Sequence, residues 1–343
     1  MKARTHILGI DIAKLKFDVH LRPLAEAGPR QTATFANTPK GFQALQQWLA
    51  THAPQVGEHL HACLESTSRY GDALAAFLYG QGHQVSLVNP RRTHHYAQSR
   101  LTRTVNDPID AGLIADFCAS EDEKLARWEP RSPEHRQLQD FTRARQSLLD
   151  HRDGFANLLE SASGLIRQSF QRQIQHLEKE IQRLEQAIQE FLEQTPQLKH
   201  SVDLADSVTG VGLITAATVV AELPPVDKIP QANQAIALFG LDPIKKTSGT
   251  SVDTPPRLSK MGSWRGRKAL YMPAMVALRW NPIIRELGQR LRQKGRSGKY
   301  IIAAAMRKLL RLIYGVMKTG QPFDPQWHTR HAPTTQPVPV PTP

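Results

Sequence analysis

The chain lacks any apolar stretch of the ~20 residues that crossing a bilayer requires. Its first segment, MKARTHILGIDIAK, meets Asp11 before a signal-peptide core can form. Cysteine is scarce. The two present in 343 residues, Cys63 and Cys118, show no Cys/His spacing of a zinc site and fit a reducing, cytoplasmic compartment. Acid is scarce in one region: residues 245–312 hold 17 Lys and Arg against Asp253 and Glu286. The chain's net charge is +13, so the remainder carries about −2. A positive field clustered in this way attracts polyanions. The block lacks a clear amphipathic membrane helix, which favours nucleic acid over anionic lipid. Histidine is absent from residues 201–327, which leaves a Ser–His–Asp hydrolase without a local base there.

What is present describes an ordinary globular chain, 40% apolar and 22% charged, long enough for two or three domains. Strand and helix signals alternate in the first third. HILGIDIA (6–13), KFDVHLRP (16–23), QTATFAN (31–37), HLHACLEST (59–67) and HQVSLVNP (83–90) read as strands, the first two as a hairpin. Residues 38–54, 71–82 and 107–120 read as helices. Antiparallel strands first, then strands alternating with helices, predict an α/β mixed sheet with helices on its faces. Residues 134–194 read as long helix. Ile174, Leu177, Ile181, Leu184, Ile188 and Phe191 there form a narrow coiled-coil-like seam, suited to a helix hairpin or an intersubunit pairing. From about 200 the pattern is globular and mostly helical, and residues 328–343 form a Pro-rich tail expected to be extended or disordered.

Asp11 ends the first strand and Glu65 the fourth, while Asp107 and Asp110 are three apart at a helix start and share a face. This is how a ribonuclease-H-like sheet gathers carboxylates. Four brought together repel unless divalent cations sit between them, and two Mg²⁺ so held can clamp a phosphodiester. Singly, each acid is as readily a turn, cap or helix-dipole residue. LGIDIAK also resembles the first phosphate loop of an actin-like fold, but no second Gly-rich phosphate loop follows.

SVTGVG, with Gly210 and Gly212, has the spacing of a helix-hairpin-helix, whose glycines expose amides that grip phosphate without reading sequence. In KKTSGTSVDTPPRLSK and beyond it, Ser248, Ser251, Ser259, Ser263 and Tyr271 are the available nucleophiles. Lys245, Lys246, Arg257, Lys260, Arg265, Arg267 and Lys268 are the candidate backbone contacts to nucleic acid. Attack on phosphorus here would rely on metal and on Lys245, Lys246 and Arg257 to stabilise charge.

GIDIAKLKFDV, CLEST, NDPIDAGLIADF, TGVG, FGLDPIKKTSGTSV and RKALYMPAM, in this order over residues 5 to 325, resemble the bridge-RNA-guided transposases of the "one-ten" insertion-sequence family, which includes the Piv-type DNA invertases. Ser68 stands where that family usually has Gly, and Asn106 where Thr is common. The resemblance implies a RuvC-like domain (1–133) holding Mg²⁺ through Asp11, Glu65, Asp107 and Asp110, and a helical linker and multimerisation segment (134–198). It also implies a C-terminal transposase domain (199–327) whose nucleophile, by motif position, is Ser248, with Ser251 the runner-up. The implied partners are donor and target double-stranded DNA, a structured non-coding guide RNA that pairs with both, and further copies of the chain as dimer or tetramer, with no membrane. Two other readings stay open at this stage. One is a RuvC-like nuclease that uses water and binds through its C-terminal half. The other is a non-catalytic RNA- and DNA-binding scaffold. Tyr271 as a recombinase nucleophile lacks the expected Arg and His partners.

Overall fold

The computed structural model describes residues 6–24, 29–53, 60–65, 69–100, 107–244, 247–248, 252–253 and 256–326, with backbone alone at 69, 107–109, 247–248 and 252–253. The Pro-rich tail lies outside these residues. The chain divides into two compact units, Met1–Pro130 and Arg131–Pro343. Among the described residues no helix is long and apolar enough to cross a membrane.

The first unit is built on strands β1 (His6–Ile12), β2 (Lys16–Pro23), β3 (Gln31–Ala36), β4 (Leu60–Glu65) and β5 (Gln84–Val88). Their spatial order is β3-β2-β1-β4-β5. β1, β2 and β3 are antiparallel neighbours, whereas β4 runs parallel to β1 and β5 parallel to β4. The expected mixed sheet is therefore present. Alternation assigns its faces. Leu8, Ile10, Phe17, Val19, Leu21, Leu60, Ala62 and Leu64 point to one side, where they bury against Phe42, Leu45 and Leu49 of α1 (Pro39–His52) and Leu74, Ala75 and Leu78 of α2 (Asp72–Gly80). Ile7, Cys63 and Val88 point to the other, against Ile114, Ala115, Phe117 and Cys118 of α4 (Asp107–Glu121). Helix α3 (Pro90–Ser99), which sequence periodicity did not reveal, starts from an Asn89 cap. Its sequence PRRTHHYAQS buries only Thr93, so it has almost no apolar stripe to detect.

The second unit is helical: α5 (Pro133–Leu159), α6 (Gly164–Glu193), α7 (Pro196–Asp206), α8 (Leu213–Glu222), α9 (Ala232–Leu238), α10 (Trp264–Trp280), α11 (Pro282–Gln293) and α12 (Gly298–Thr319). The expected long helix at 134–194 is two helices. Residues 160–163 break it, and Gly164 takes φ +54°, a left-handed conformation that glycine tolerates best. α5 and α6 fold back on each other. Phe141 meets Phe191 and Phe155 meets Phe170, each with centroids 5.7 Å apart, and Arg145 Nε donates to Glu185 at 2.7 Å. These pairs run in opposite directions along the two helices, so the narrow seam closes an antiparallel hairpin within the chain. Its base joins the core: Leu138, Ile188 and Leu192 pack with buried residues of α7, α8, α10 and α12.

Between α9 and α10 the chain forms two short antiparallel ribbons. β6 (Pro243–Ile244) pairs with β9 (Arg257–Leu258), and β7 (Thr247–Ser248) pairs with β8 (Val252–Asp253). Within KKTSGTSVDTPPRLSK, Thr247–Ser248, Val252–Asp253 and Arg257–Leu258 are thus paired ribbon strands.

Candidate active site

Side-chain parity determines which acids meet in the first unit. Leu8 and Ile10 of β1 face α1 and α2, so Gly9 and Asp11 face α4. The register Gly9↔Cys63 and Ile10↔Leu64 leaves Asp11 and Glu65 at adjoining strand ends on that same face. Gly9 does the rest. A Cβ there would overlap the Ala111 carbonyl and the Ala115 amide, so α4 lies directly on β1. That contact places Asp110, next to Ala111, beside Asp11.

Asp11, Glu65 and Asp110, all half-buried, line one cleft of about 670 Å³. Asp107 begins α4 one turn earlier, and its side chain lies outside the described residues. α3 supplies the opposite wall with Arg91, Thr93, His94 and His95. The buried Thr93 hydroxyl sits between Glu65 Oε1 and the Pro90 carbonyl, 2.9 Å from the latter. It holds the Glu65 carboxylate in place, since a hydroxyl–carboxylate bond is the stronger of the two. The donor set is carboxylate oxygen, which suits a hard divalent cation.

Sequence reasoning missed two features of this face. Asp18 pairs in register with Asp11 on one side and Thr34 on the other. It is buried, accepts from Thr34, and its Oδ2 lies 3.2 Å from Lys16 Nζ. Its signal was the alternation of KFDV, which sends Phe17 and Val19 to the core and Asp18 to the acidic face. The second is beneath Glu65. Cys63 of β4 and Cys118 of α4, expected as reduced thiols, are joined by a disulfide with Cα atoms 6.3 Å apart. It ties the strand carrying Glu65 to the helix carrying Asp110. No spacing rule exposes a pair 55 residues apart. His61 lies beside it, with Nδ1 2.6 Å from Asp122 Oδ1 and Nε2 2.9 Å from Ser86 Oγ. With both sulfurs paired and the Arg127 guanidinium 2.9 Å from Nε2, this cluster is a structural network and not a metal centre.

In the second unit the base of the ribbon arm is clamped. Ser259 N donates to the Asp242 carbonyl (2.9 Å), Lys260 N to the Gly240 carbonyl (3.0 Å) and Ser263 N to the Leu238 carbonyl (2.8 Å). The crossing is tight enough that Cβ atoms at Gly240 and Gly262 would strike backbone, and Gly240 and Lys260 take φ +60° and +55°. Arg267 Nη1 donates to the carbonyls of Phe239 (2.9 Å) and Gly262 (3.0 Å), so this guanidinium builds the clamp.

The hydroxyls in this region have different surroundings. Ser259 is buried and donates to Asp242. Ser263 caps α10, accepting from Gly266 N at 3.1 Å, and donates to Glu222 Oε2 at 2.8 Å. Burial pushes the Glu222 carboxyl up, but its bonds from Arg143 and Ser263 outweigh this and hold it below the usual range. Ser248 sits at the end of β7, opposite Val252, and its side chain lies outside the described residues, as do Ser251, Lys245 and Lys246. Arg257 and Lys260 are exposed, Arg265 lies over Trp264, and Lys268 pairs with Asp150. At the turn between α7 and α8, Gly210 (φ +102°) packs where a Cβ would stand 2.8 Å from that of Ala277, while Gly212 opens α8 with nothing near it.

Residues 8–164 match the family model of DEDD-type IS110 transposases, and residues 202–289 match that of the transposase IS116/IS110/IS902 family. The chain is 31% identical over 327 residues to the pilin gene-inverting protein of Moraxella bovis, covering 95% of this chain and 99% of that protein. The pilin gene-inverting protein of Moraxella lacunata matches at the same identity and coverage. The chain therefore belongs to the IS110 family of transposases, enzymes that recombine or transpose DNA and whose DEDD type implies a divalent metal ion in catalysis.

Proposed function

We propose that this protein cuts and rejoins donor and target DNA through a covalent serine–DNA intermediate, at sites chosen by a structured non-coding guide RNA. The observation that carries this reading is the convergence of Asp11, Glu65 and Asp110 on one cleft, with Asp107 one helical turn away on the same element. These four acids are the proposed ligands of Mg²⁺, two ions, in a RuvC-like, ribonuclease-H-like domain. Bound metal offsets the repulsion among the carboxylates and the charge that builds on a phosphodiester in displacement.

Ser248 is the proposed nucleophile. Its Oγ forms an ester bond to phosphorus as one backbone P–O bond breaks, and the hydroxyl proton ends on the departing sugar oxygen. Two competing hydroxyls, Ser259 and Ser263, are engaged in the clamp and the α10 cap, which supports a nucleophile further out on the arm. Lys245, Lys246, Arg257, Lys260, Arg265 and Lys268 are proposed to contact phosphate, with Arg267 holding the loop base they flank. The amides at Gly210 and Gly212 are proposed to act as a helix-hairpin-helix grip. Because base pairing would supply sequence choice, the protein needs backbone contacts above all, which a diffuse basic surface provides. The α5–α6 hairpin leaves Leu158, Leu165 and Ile166 exposed near its tip, which supports its role in forming a dimer or tetramer.

The test is adduct formation on cleavable DNA with guide RNA and Mg²⁺. Ser248→Ala is expected to abolish the protein–DNA adduct. Asp11→Asn is expected to reduce strand exchange by about 10³-fold or more while RNA binding persists. An adduct that survives Ser248→Ala refutes the nucleophile. Cleavage without any adduct in the unaltered protein would identify a water-using nuclease instead.

A further inference from the structure

Helix α10 contains four cations, Arg265, Arg267, Lys268 and Arg279, and no acid. Its inner face, Gly266, Leu270, Ala274 and Ala277, is buried in the core. Its outer face carries the exposed Lys268 and Arg279 but is not polar throughout, as a solvated helix face would be. Trp264 (45% exposed), Tyr271 (47%), Met272 (61%), Met275 (42%), Val276 (45%) and Trp280 (62%) lie on it. Spacings of seven, four and three gather Trp264, Tyr271, Met275 and Met272 on one side of the helix, with Trp280 at its end. Scattered exposed apolar residues are normal on a surface, but six along one helix, four of them on one side, mark a binding surface. Two of the rings already carry a guanidinium. Arg265 lies 4.8 Å from the Trp264 ring centroid and Arg279 lies 5.1 Å from that of Trp280.

We infer that the outer face of α10 stacks unpaired nucleotides, so that a single-stranded segment of DNA or RNA is its partner. An anionic partner is favoured, because α10 itself contains no acid and, although Lys268 pairs with Asp150, Arg265 and Arg279 stand over its exposed rings. It must also offer flat apolar surfaces to the aromatic rings. A double helix meets the first condition only, since its base faces are hidden in the stack. Unpaired nucleotides meet both, and rings flanked by Arg are the platform such strands use. A second copy of this chain fits poorly, because a two-fold contact would set these cations against their own counterparts. The inference rests on the proposed nucleic-acid function and adds which form of the polymer this helix holds.

The experiment measures affinity of the full chain for a labelled 20-mer of oligodeoxythymidine and for a duplex of equal length, by fluorescence anisotropy across a salt series. The variant Trp264→Ala/Tyr271→Ala/Trp280→Ala is expected to lose about tenfold or more on the single strand and less than about twofold on the duplex, with the salt slope unchanged. Trp280→Ala alone, at the exposed helix end, is expected to show the same selectivity at about fivefold, which covers failure of the triple variant to fold. Equal losses on both ligands, or none on the single strand, overturn the inference. So does a change in molecular mass of the variants by sedimentation, which would make the face a contact between copies. If the unaltered protein binds neither ligand, the nucleic-acid function fails together with this inference. If it binds both and only the variants behave as wild type, the inference alone fails.

Discussion

The two units present their chemistry by opposite means. In the first, the acids are held by close packing and cross-links between elements. Gly9 brings α4 onto β1, a disulfide ties α4 to β4, and Thr93 holds the Glu65 carboxylate. In the second, the serine favoured as nucleophile rides on a ribbon whose strands are two residues each, clamped at its base. A site that gathers several like charges needs rigid support, because any slack lets the carboxylates separate. A hydroxyl that must reach a phosphodiester needs extension, and a narrow ribbon gives that with little core. The contrast teaches where each unit is fragile.

The largest expected effect comes from Gly9→Ala. The new methyl collides with the backbone of α4, so helix and strand must separate. Thermal unfolding should show the first unit lost or strongly destabilised while the helical unit keeps its transition. A first unit of unchanged stability would mean that α4 does not lie on β1 as described. Next is the disulfide. In the chain-entropy picture, a link closing a 55-residue loop contributes about 4 kcal/mol. Cys63→Ala/Cys118→Ala, or reduction with excess dithiol, should lower the first unit's denaturant midpoint and leave the second unit's in place.

Gly262→Ala sharpens the comparison from the other side. A Cβ there strikes the backbone at Leu238 and Gly240, which should loosen the arm's base at a cost of roughly 1–3 kcal/mol. Divalent-ion binding by the first unit, followed calorimetrically, should be unchanged while adduct formation falls. Loss of both together would erase the distinction drawn here.

The smallest effect is on acid stability. Burial pushes His20 and His83 below their ordinary range, and His20 Nε2 and His83 Nδ1 are buried without hydrogen-bond partners. For His20 the neighbouring Asp116 acts upward, and Arg30 and Arg22 act downward again. His135 in the second unit is also pushed down, by burial first and then by Arg131. Both His20 and His83 stay neutral in the fold at pH values where the unfolded chain takes up a proton. Stability is therefore full above the unfolded value near 6.5 and falls as pH drops from there toward the lowered folded values. Burial pushes His6 of the first unit down as well, so with three such groups against one, the first unit's melting temperature should fall more than the second's between pH 7.5 and 5.5. Equal falls would assign the acid loss elsewhere.

Much of the first unit was legible. KFDVHLRP is β2 to the residue, and the other four strands end within two residues of their expected bounds. Alternation imposed by a buried face is a strong local signal. α3 was not legible, because a helix lining a polar cleft buries almost nothing. The break at 160–163 lay within a run otherwise favourable to helix throughout, and only the return of α6 along α5 requires it.

What the sequence by itself determined was the inventory and its local placement: four acids at element ends, a basic C-terminal block, a narrow helical seam and serines in a polar stretch. Periodicity and charge are local properties, so they survive without a fold. The tertiary structure decided which of these meet. Gly9 needs no side chain because Ala111 and Ala115 arrive from more than 100 residues away, and Asp18 joins the acidic face only through its register with Asp11 and Thr34. Cys63 finds Cys118 for the same reason, and the cleft forms because packing across a sheet joins residues that no spacing in the chain relates.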